Sequence, residues 1–176
     1  QVNPLPFGAL SEFYPRYAAA ERVAVYAILG GIPAYLERFD DGRTLAANVQ
    51  REMVSSTGIF RAEPFFLINE LVREPRTYAA ILRAIGEGNH TLETIATAAG
   101  LDKSHVSTYL DRLQALHLVE RRVPATLPPH KRTTQGRYHL ADSDLRFFFR
   151  FVAPYQALLE KGQVYLVWRN IQAQLR

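Results

Sequence analysis

The chain has 176 residues, 48% apolar and 22% charged, and no cysteine; this excludes general disorder, a disulfide scaffold, a cysteine nucleophile and a thiolate-bound zinc finger. No run approaches the ~18 apolar residues of a membrane helix and no signal peptide opens the chain, so a cytoplasmic protein without a membrane partner is expected. The net charge of +4 (21 Lys and Arg against 17 Asp and Glu) lies wholly between Arg73 and Leu140, where 10 basic residues face 6 acidic ones, the remainder holding 11 of each.

A start at Gln1 instead of Met leads to the expectation of a portion of something longer. Glu21 to Leu29 is an apolar helix that stops at Gly30-Gly31, and Pro33 suits the first turn of the next helix, where its missing N–H costs nothing. Thr44 is placed to cap a helix with Leu45, Val49 and Met53 on one face. Pro64 is expected to open another, with Phe65, Ile68 and Val72 as its buried stripe. Residues 1–72 therefore form a helical subdomain, bounded by Pro75, which disfavours helix in the residue before it.

From Arg76 the pattern changes. Tyr78, Ile81, Leu82 and Ile85 keep helical spacing; Thr91 caps a second helix burying Leu92, Ile95, Ala96 and Ala99. Gly100 begins a short turn, and Ser104 is expected to cap a third helix with Val106, Tyr109, Leu110 and Leu113 inward. Leu118 to Val123 is strand-like, Pro124 to Gly136 is a polar loop, and Tyr138 and Leu140 alternate in a return strand. Helix, helix, glycine turn, helix, strand, loop, strand is the order of a winged helix-turn-helix with a small β-wing, so a mainly α chain is expected with this module at 73–140.

If the third helix enters a major groove, Lys103, Ser104, His105, Ser107 and Thr108 reach base edges or phosphates, with Arg112 on its shoulder. The strands and loop add Arg121, Arg122, His130, Lys131, Arg132 and Arg137, and five cations with no acid between 121 and 137 suit phosphate contact. Asp102 and Asp111 oppose it by repulsion. Residues 141–176 open with Asp142 as a cap and then Leu145, Phe147, Phe148, Phe149, Phe151 and Val152, apolar on both sides of a helix. Such a helix either begins a further domain or pairs with another copy in a homo-oligomer.

The string Tyr26-Ala27-Ile28-Leu29-Gly30-Gly31-Ile32-Pro33-Ala34-Tyr35-Leu36 resembles the helical lid of archaeal-type AAA+/STAND-like ATPases. Leu5-Pro6-Phe7 to Phe13-Tyr14-Pro15 resembles the end of their nucleotide-binding core. The stretch Tyr138 to Val152 resembles the opening of their C-terminal domain of unknown function, related to restriction-type nucleases. The resemblance implies that Gly31, Ile32 and Pro33 match the Gly-x-Pro of such lids, where proline packs on the adenine of bound nucleotide. It also implies an upstream ATPase core as partner, with ATP and magnesium as cofactors of the parent. A Gly-x-x-x-x-Gly-Lys-Ser/Thr phosphate loop and an acidic magnesium-binding strand end are absent from these residues, so this chain alone is expected to have no catalytic residue, no cofactor and no turnover.

The five histidines have no i, i+4 pair, so no metal site is expected. Asp40-Asp41-Gly42 is better taken as a turn than as an acid pair. The expected function is an ATPase fragment whose lid couples nucleotide state to a DNA-binding winged helix. Two alternatives fit the same pattern: an autoregulatory, protein-binding winged helix with no DNA contact, and a stand-alone transcription regulator dimerised by its first helices.

Overall fold

The structure is a computed structural model that describes residues 4–125 and 135–174. Among the described residues the chain is mainly helical with one small antiparallel sheet, and it divides into two compact units, Gln1–Pro64 with Ser143–Arg176, and Phe65–Asp142. Among the described residues no helix is long and apolar enough to cross a membrane.

In the first unit a short helix α1 (Leu10–Phe13) precedes α2 (Ala19–Leu29), which ends at Gly30. Ala18 N–H donates to the Glu21 carboxylate at 2.9 Å, satisfying one amide at the entrance of α2. Pro33 starts α3 (Pro33–Leu36), as its fixed φ favours. Thr44 caps α4 (Leu45–Val49), accepting from the Ala47 N–H at 3.2 Å; the helix runs on into a wide π turn, Gln50–Val54. Val49, Met53 and Val54 are buried.

The loop between α3 and α4 hangs on one buried amide. Asn48, 0% exposed, donates from Nδ2 to the Tyr17 hydroxyl and to the Asp40 carbonyl, both at 2.7 Å, and accepts from Asp40 N–H at 3.1 Å. Tyr17 in turn donates to the Arg43 carbonyl at 2.8 Å, so every polar atom of the network has a partner, as burial requires. Asp40-Asp41-Gly42 is a turn, with the Gly42 N–H donating to the Asp40 carboxylate at 2.8 Å. That bond is the main reason the Asp40 carboxyl sits below the usual range.

The segment from Ser143 onward packs with the N-terminal helices of the first unit. After α9 (Ser143–Phe147) comes a second π turn, Phe148–Val152, then α10 (Gln156–Glu160) and α11 (Val164–Gln174). Helix α9 lies on α2, and α11 covers both π turns. Phe147, Phe148, Phe149 and Val152 are thereby all buried. The neighbours needed by a helix apolar on both sides come from within this chain.

Helix α5 (Ile59–Leu71) corrects the expectation for Pro64, which lies inside the helix and does not open it. Phe60, Pro64 and Ile68 are all buried at i, i+4, i+8, so burial of one stripe carries the helix upstream past the proline. The second unit then holds α6 (Pro75–Gly86), α7 (Leu92–Ala99), α8 (Lys103–Ala115) and strands β1 (Val119–Arg122) and β2 (Arg137–Leu140). Its core is Ile81, Leu82 and Ile85 of α6, Ile95 and Ala96 of α7, Val106, Leu110 and Leu113 of α8, and Leu118, Val119 and Leu140 at the sheet.

Candidate nucleic-acid interface

Local chemistry sets the path from α7 to α8. Thr91 and Thr94 cap each other reciprocally, Thr94 N–H to Thr91 Oγ1 at 3.1 Å and Thr91 N–H to Thr94 Oγ1 at 3.2 Å. Gly100 closes α7 in the left-handed region (φ 67°, ψ 34°), which glycine enters without a Cβ penalty, and Leu101 N–H returns to the Ala96 carbonyl at 3.0 Å. The turn is therefore only Gly100 to Asp102. Helix α8 starts at Lys103 with the extended Asp102 (φ −68°, ψ 142°) as its N-cap, which corrects the expectation that Ser104 is the cap.

With Val106, Leu110 and Leu113 inward, α8 exposes Lys103, Ser104, His105, Thr108 and Arg112, while Ser107 is half-buried. The exposed face also carries Asp102 and Asp111. Lys103 is engaged, donating from Nζ to Glu93 on α7 at 2.8 Å, a bond that holds the Glu93 carboxyl below the usual range. Tyr109, expected wholly inward, is half-buried; its ring meets Tyr78 edge-on at 4.8 Å and its hydroxyl donates to Glu74 at 2.6 Å, which raises its pKa.

Helix α8 leaves through His117, whose φ of 58° is the positive value among the non-glycine residues described. Leu118 N–H reaches the Leu113 carbonyl at 3.0 Å, so His117 occupies the site that glycine usually takes after a helix. The antiparallel register pairs Val119 with Leu140, Glu120 with His139, Arg121 with Tyr138, and Arg122 with Arg137. Side chains alternate between faces, so Arg121 and Tyr138 share one face while Glu120, Arg122, Arg137 and His139 share the other. The Arg121 guanidinium lies 6.0 Å from the Tyr138 ring centroid and over Gly136, where a Cβ would fall 2.3 Å from its Nε. Arg122 is ion-paired with Glu120 on its own strand.

The loop before α7 lies beside β2. Tyr138 N–H donates to the His90 carbonyl at 2.8 Å, and His90 Nδ1 lies 2.9 Å from the Tyr138 carbonyl oxygen. The His90 and His139 rings stack with centroids 4.4 Å apart. Sequence spacing gave no hint of this meeting across 48 intervening positions in the chain, because strand register alone creates it. Beside the stack an open groove of about 640 Å³ is lined by Thr91, Arg122, Val123, Pro124, Gln135, Arg137 and His139. His130, Lys131 and Arg132 lie outside the described residues. Among the described residues no three His, Asp or Glu side chains gather as a metal-ligating group.

In the other unit, the Gly31-Ile32-Pro33 triplet forms the corner between α2 and α3. The Leu5 backbone lies against Gly31, its N–H donating to the Gly31 carbonyl at 2.7 Å, and a Cβ on Gly31 would fall 2.1 Å from the Leu5 oxygen. Gly31 is buried by the chain itself; Ile32 and Pro33 are half-buried and keep some surface.

The chain is 33% identical over 162 residues to the uncharacterized protein MJECL04 of Methanocaldococcus jannaschii. The match takes in 92% of this chain but spans only 36% of the relative. No protein-family model matches the chain, and no solved structure matches it.

Proposed function

We propose that residues 73–140 are a winged helix-turn-helix that binds duplex DNA, as part of a longer, cytoplasmic AAA+/STAND-like ATPase. The order of α6, α7, the three-residue turn, α8, β1 and β2 supports the winged-helix reading, as does the backbone bond from Tyr138 to His90 beside the strands. The observation that carries the DNA reading is the pairing of an exposed α8 N-terminal face with a strand pair that presents Arg121, Arg122 and Arg137. Arginine suits phosphate through its planar donor fork, and phosphate contacts hold such a module on the duplex. In this reading ATP and magnesium are held by the upstream core, and Ile32 and Pro33 are the lid residues with surface to offer the nucleotide.

Salt titration tests the DNA contact. With three phosphates neutralised, affinity for a labelled duplex falls about 40-fold between 50 and 200 mM salt, from a slope near −0.9 per contact. Anisotropy that shows no binding at the lower salt, or binding without this dependence, defeats the reading. Substituting Ser104→Glu with His105→Glu should weaken binding further if α8 enters the groove. One observation favours the protein-binding alternative: the Lys103–Glu93 pair, with Asp102 and Asp111 exposed, leaves α8 with little free positive charge. Failure of DNA binding at low salt would move the weight to that reading.

A further inference from the structure

We infer that the strand face carrying Arg122, Arg137 and His139 is a phosphate-binding groove, occupied by the phosphodiester backbone of DNA. The choice of DNA as the source of that phosphate rests on the function proposed above; the groove itself does not. The register sets Arg122 directly opposite Arg137, and like charges in that relation destabilise a strand pair unless an anion lies between or beside them. Glu120 supplies one negative charge, bonded to Arg122. Arg137 is exposed, and its guanidinium has no hydrogen bond or ion pair among the described residues. One positive charge on this face is thus unmatched.

These side chains open onto the groove, which Thr91 and Pro124 also line. His139 is held by stacking on His90, and His90 is itself anchored to the Tyr138 backbone, so one wall is positioned in advance. The hydroxyl and N–H of Thr91 are already engaged with Thr94, which leaves the arginines as the groups that would receive the anion.

The sequence treats Arg121, Arg122 and Arg137 alike, but the pleat separates them. Arg121 is on the opposite face against Tyr138 and Gly136, outside the groove. The groove is therefore a two-arginine site. Two guanidinium forks on one face, each contacting a backbone phosphate, position the duplex without reading its sequence.

The test follows the arginine Nε–Hε signals of the full chain by NMR while inorganic phosphate or a duplex oligonucleotide is added, and measures duplex affinity of R122Q, R137Q and R121Q by anisotropy. The expected result is that both titrants shift the Arg122 and Arg137 signals together. R122Q and R137Q each weaken duplex binding about 8-fold at 0.1 M salt and flatten the salt slope by ~0.9, the share of one phosphate contact. R121Q leaves the shifts at the other two arginines unchanged. If phosphate shifts both signals but the duplex does not bind, the groove stands with free phosphate as its source and the DNA reading falls. If the duplex binds, R122Q and R137Q match the unsubstituted chain and the two signals stay still, the groove is refuted while DNA binding survives. No response to either titrant overturns both.

Discussion

Replacing Gly31 by alanine tests how the N-terminal segment is held. The new methyl carbon would lie 2.1 Å from the Leu5 oxygen and 2.7 Å from the Leu5 nitrogen, contacts that no backbone can accept. The segment around Leu5 must lift away. Lifting breaks the Leu5 N–H bond to the Gly31 carbonyl at 2.7 Å and the Tyr26 hydroxyl bond to the Leu5 carbonyl at 3.2 Å, each worth about 1 kcal/mol net. It also loosens the edge-on contact of Phe7 with Tyr26 at 5.7 Å, worth a further ~0.5–1.5 kcal/mol. The expected destabilisation is about 2.5–3.5 kcal/mol, at the upper end of the range for overpacked sites. Urea unfolding followed by fluorescence reads it directly, because the single tryptophan, Trp168, lies on α11 in the same unit. Gly8→Ala is the internal control: a Cβ there meets nothing within 4 Å, and the change should stay within about 0.5 kcal/mol. A Gly31→Ala variant as stable as the Gly8→Ala control would refute the close approach and return Gly31 to the surface, where a nucleotide could reach it.

Three other outcomes are expected. Asn48→Ala removes three hydrogen bonds from a side chain that is 0% exposed, and should cost about 3 kcal/mol by the same fluorescence assay; a loss under 1 kcal/mol would mean that water replaces the amide. His117→Gly relieves a left-handed conformation (φ 58°) and should raise the stability of the Phe65–Asp142 unit by about 1 kcal/mol in amide hydrogen exchange, while no gain would show the histidine to be unstrained. Lys103→Met should let the Glu93 carboxyl rise toward its ordinary value in a carbon-13 NMR titration. The native value is depressed, so the stabilising linkage is present above the unfolded carboxylate range and lost as pH falls through the native value; the variant should lose that part of the acid dependence.

Local features were legible residue by residue. The stop of α2 at Gly30, the start of α3 at Pro33 and the caps at Thr44 and Thr91 each depend on a side chain or a missing Cβ within four positions of the backbone it serves. The expectation failed where distant packing outweighs a local preference. Pro64 is a good helix opener in isolation, but burial of Phe60 and Ile68 extends α5 upstream of it. Ser104 is a good cap in isolation, but the return of Leu101 N–H to Ala96 shortens the turn and makes Asp102 the cap.

The candidate interface divides in the same way. Exposure of Lys103, Ser104, His105, Thr108 and Arg112 follows from helical periodicity, so the sequence identifies that face unaided. Engagement of Lys103 by Glu93 needs α7 and α8 packed together, and periodicity holds no information on it.

By itself the sequence determined a mainly helical chain, the positions of most helix ends, and the concentration of positive charge in one internal segment, because each depends on composition, spacing or nearest neighbours. Tertiary structure alone decided that the aromatic run after Ser143 is buried against the N-terminal helices, since a doubly apolar helix specifies a need for neighbours without naming them. It also decided which arginines share a face. A strand's pleat and register convert adjacent residues Arg121 and Arg122 into occupants of opposite faces, and bring Arg122 beside Arg137, fifteen positions away in the chain.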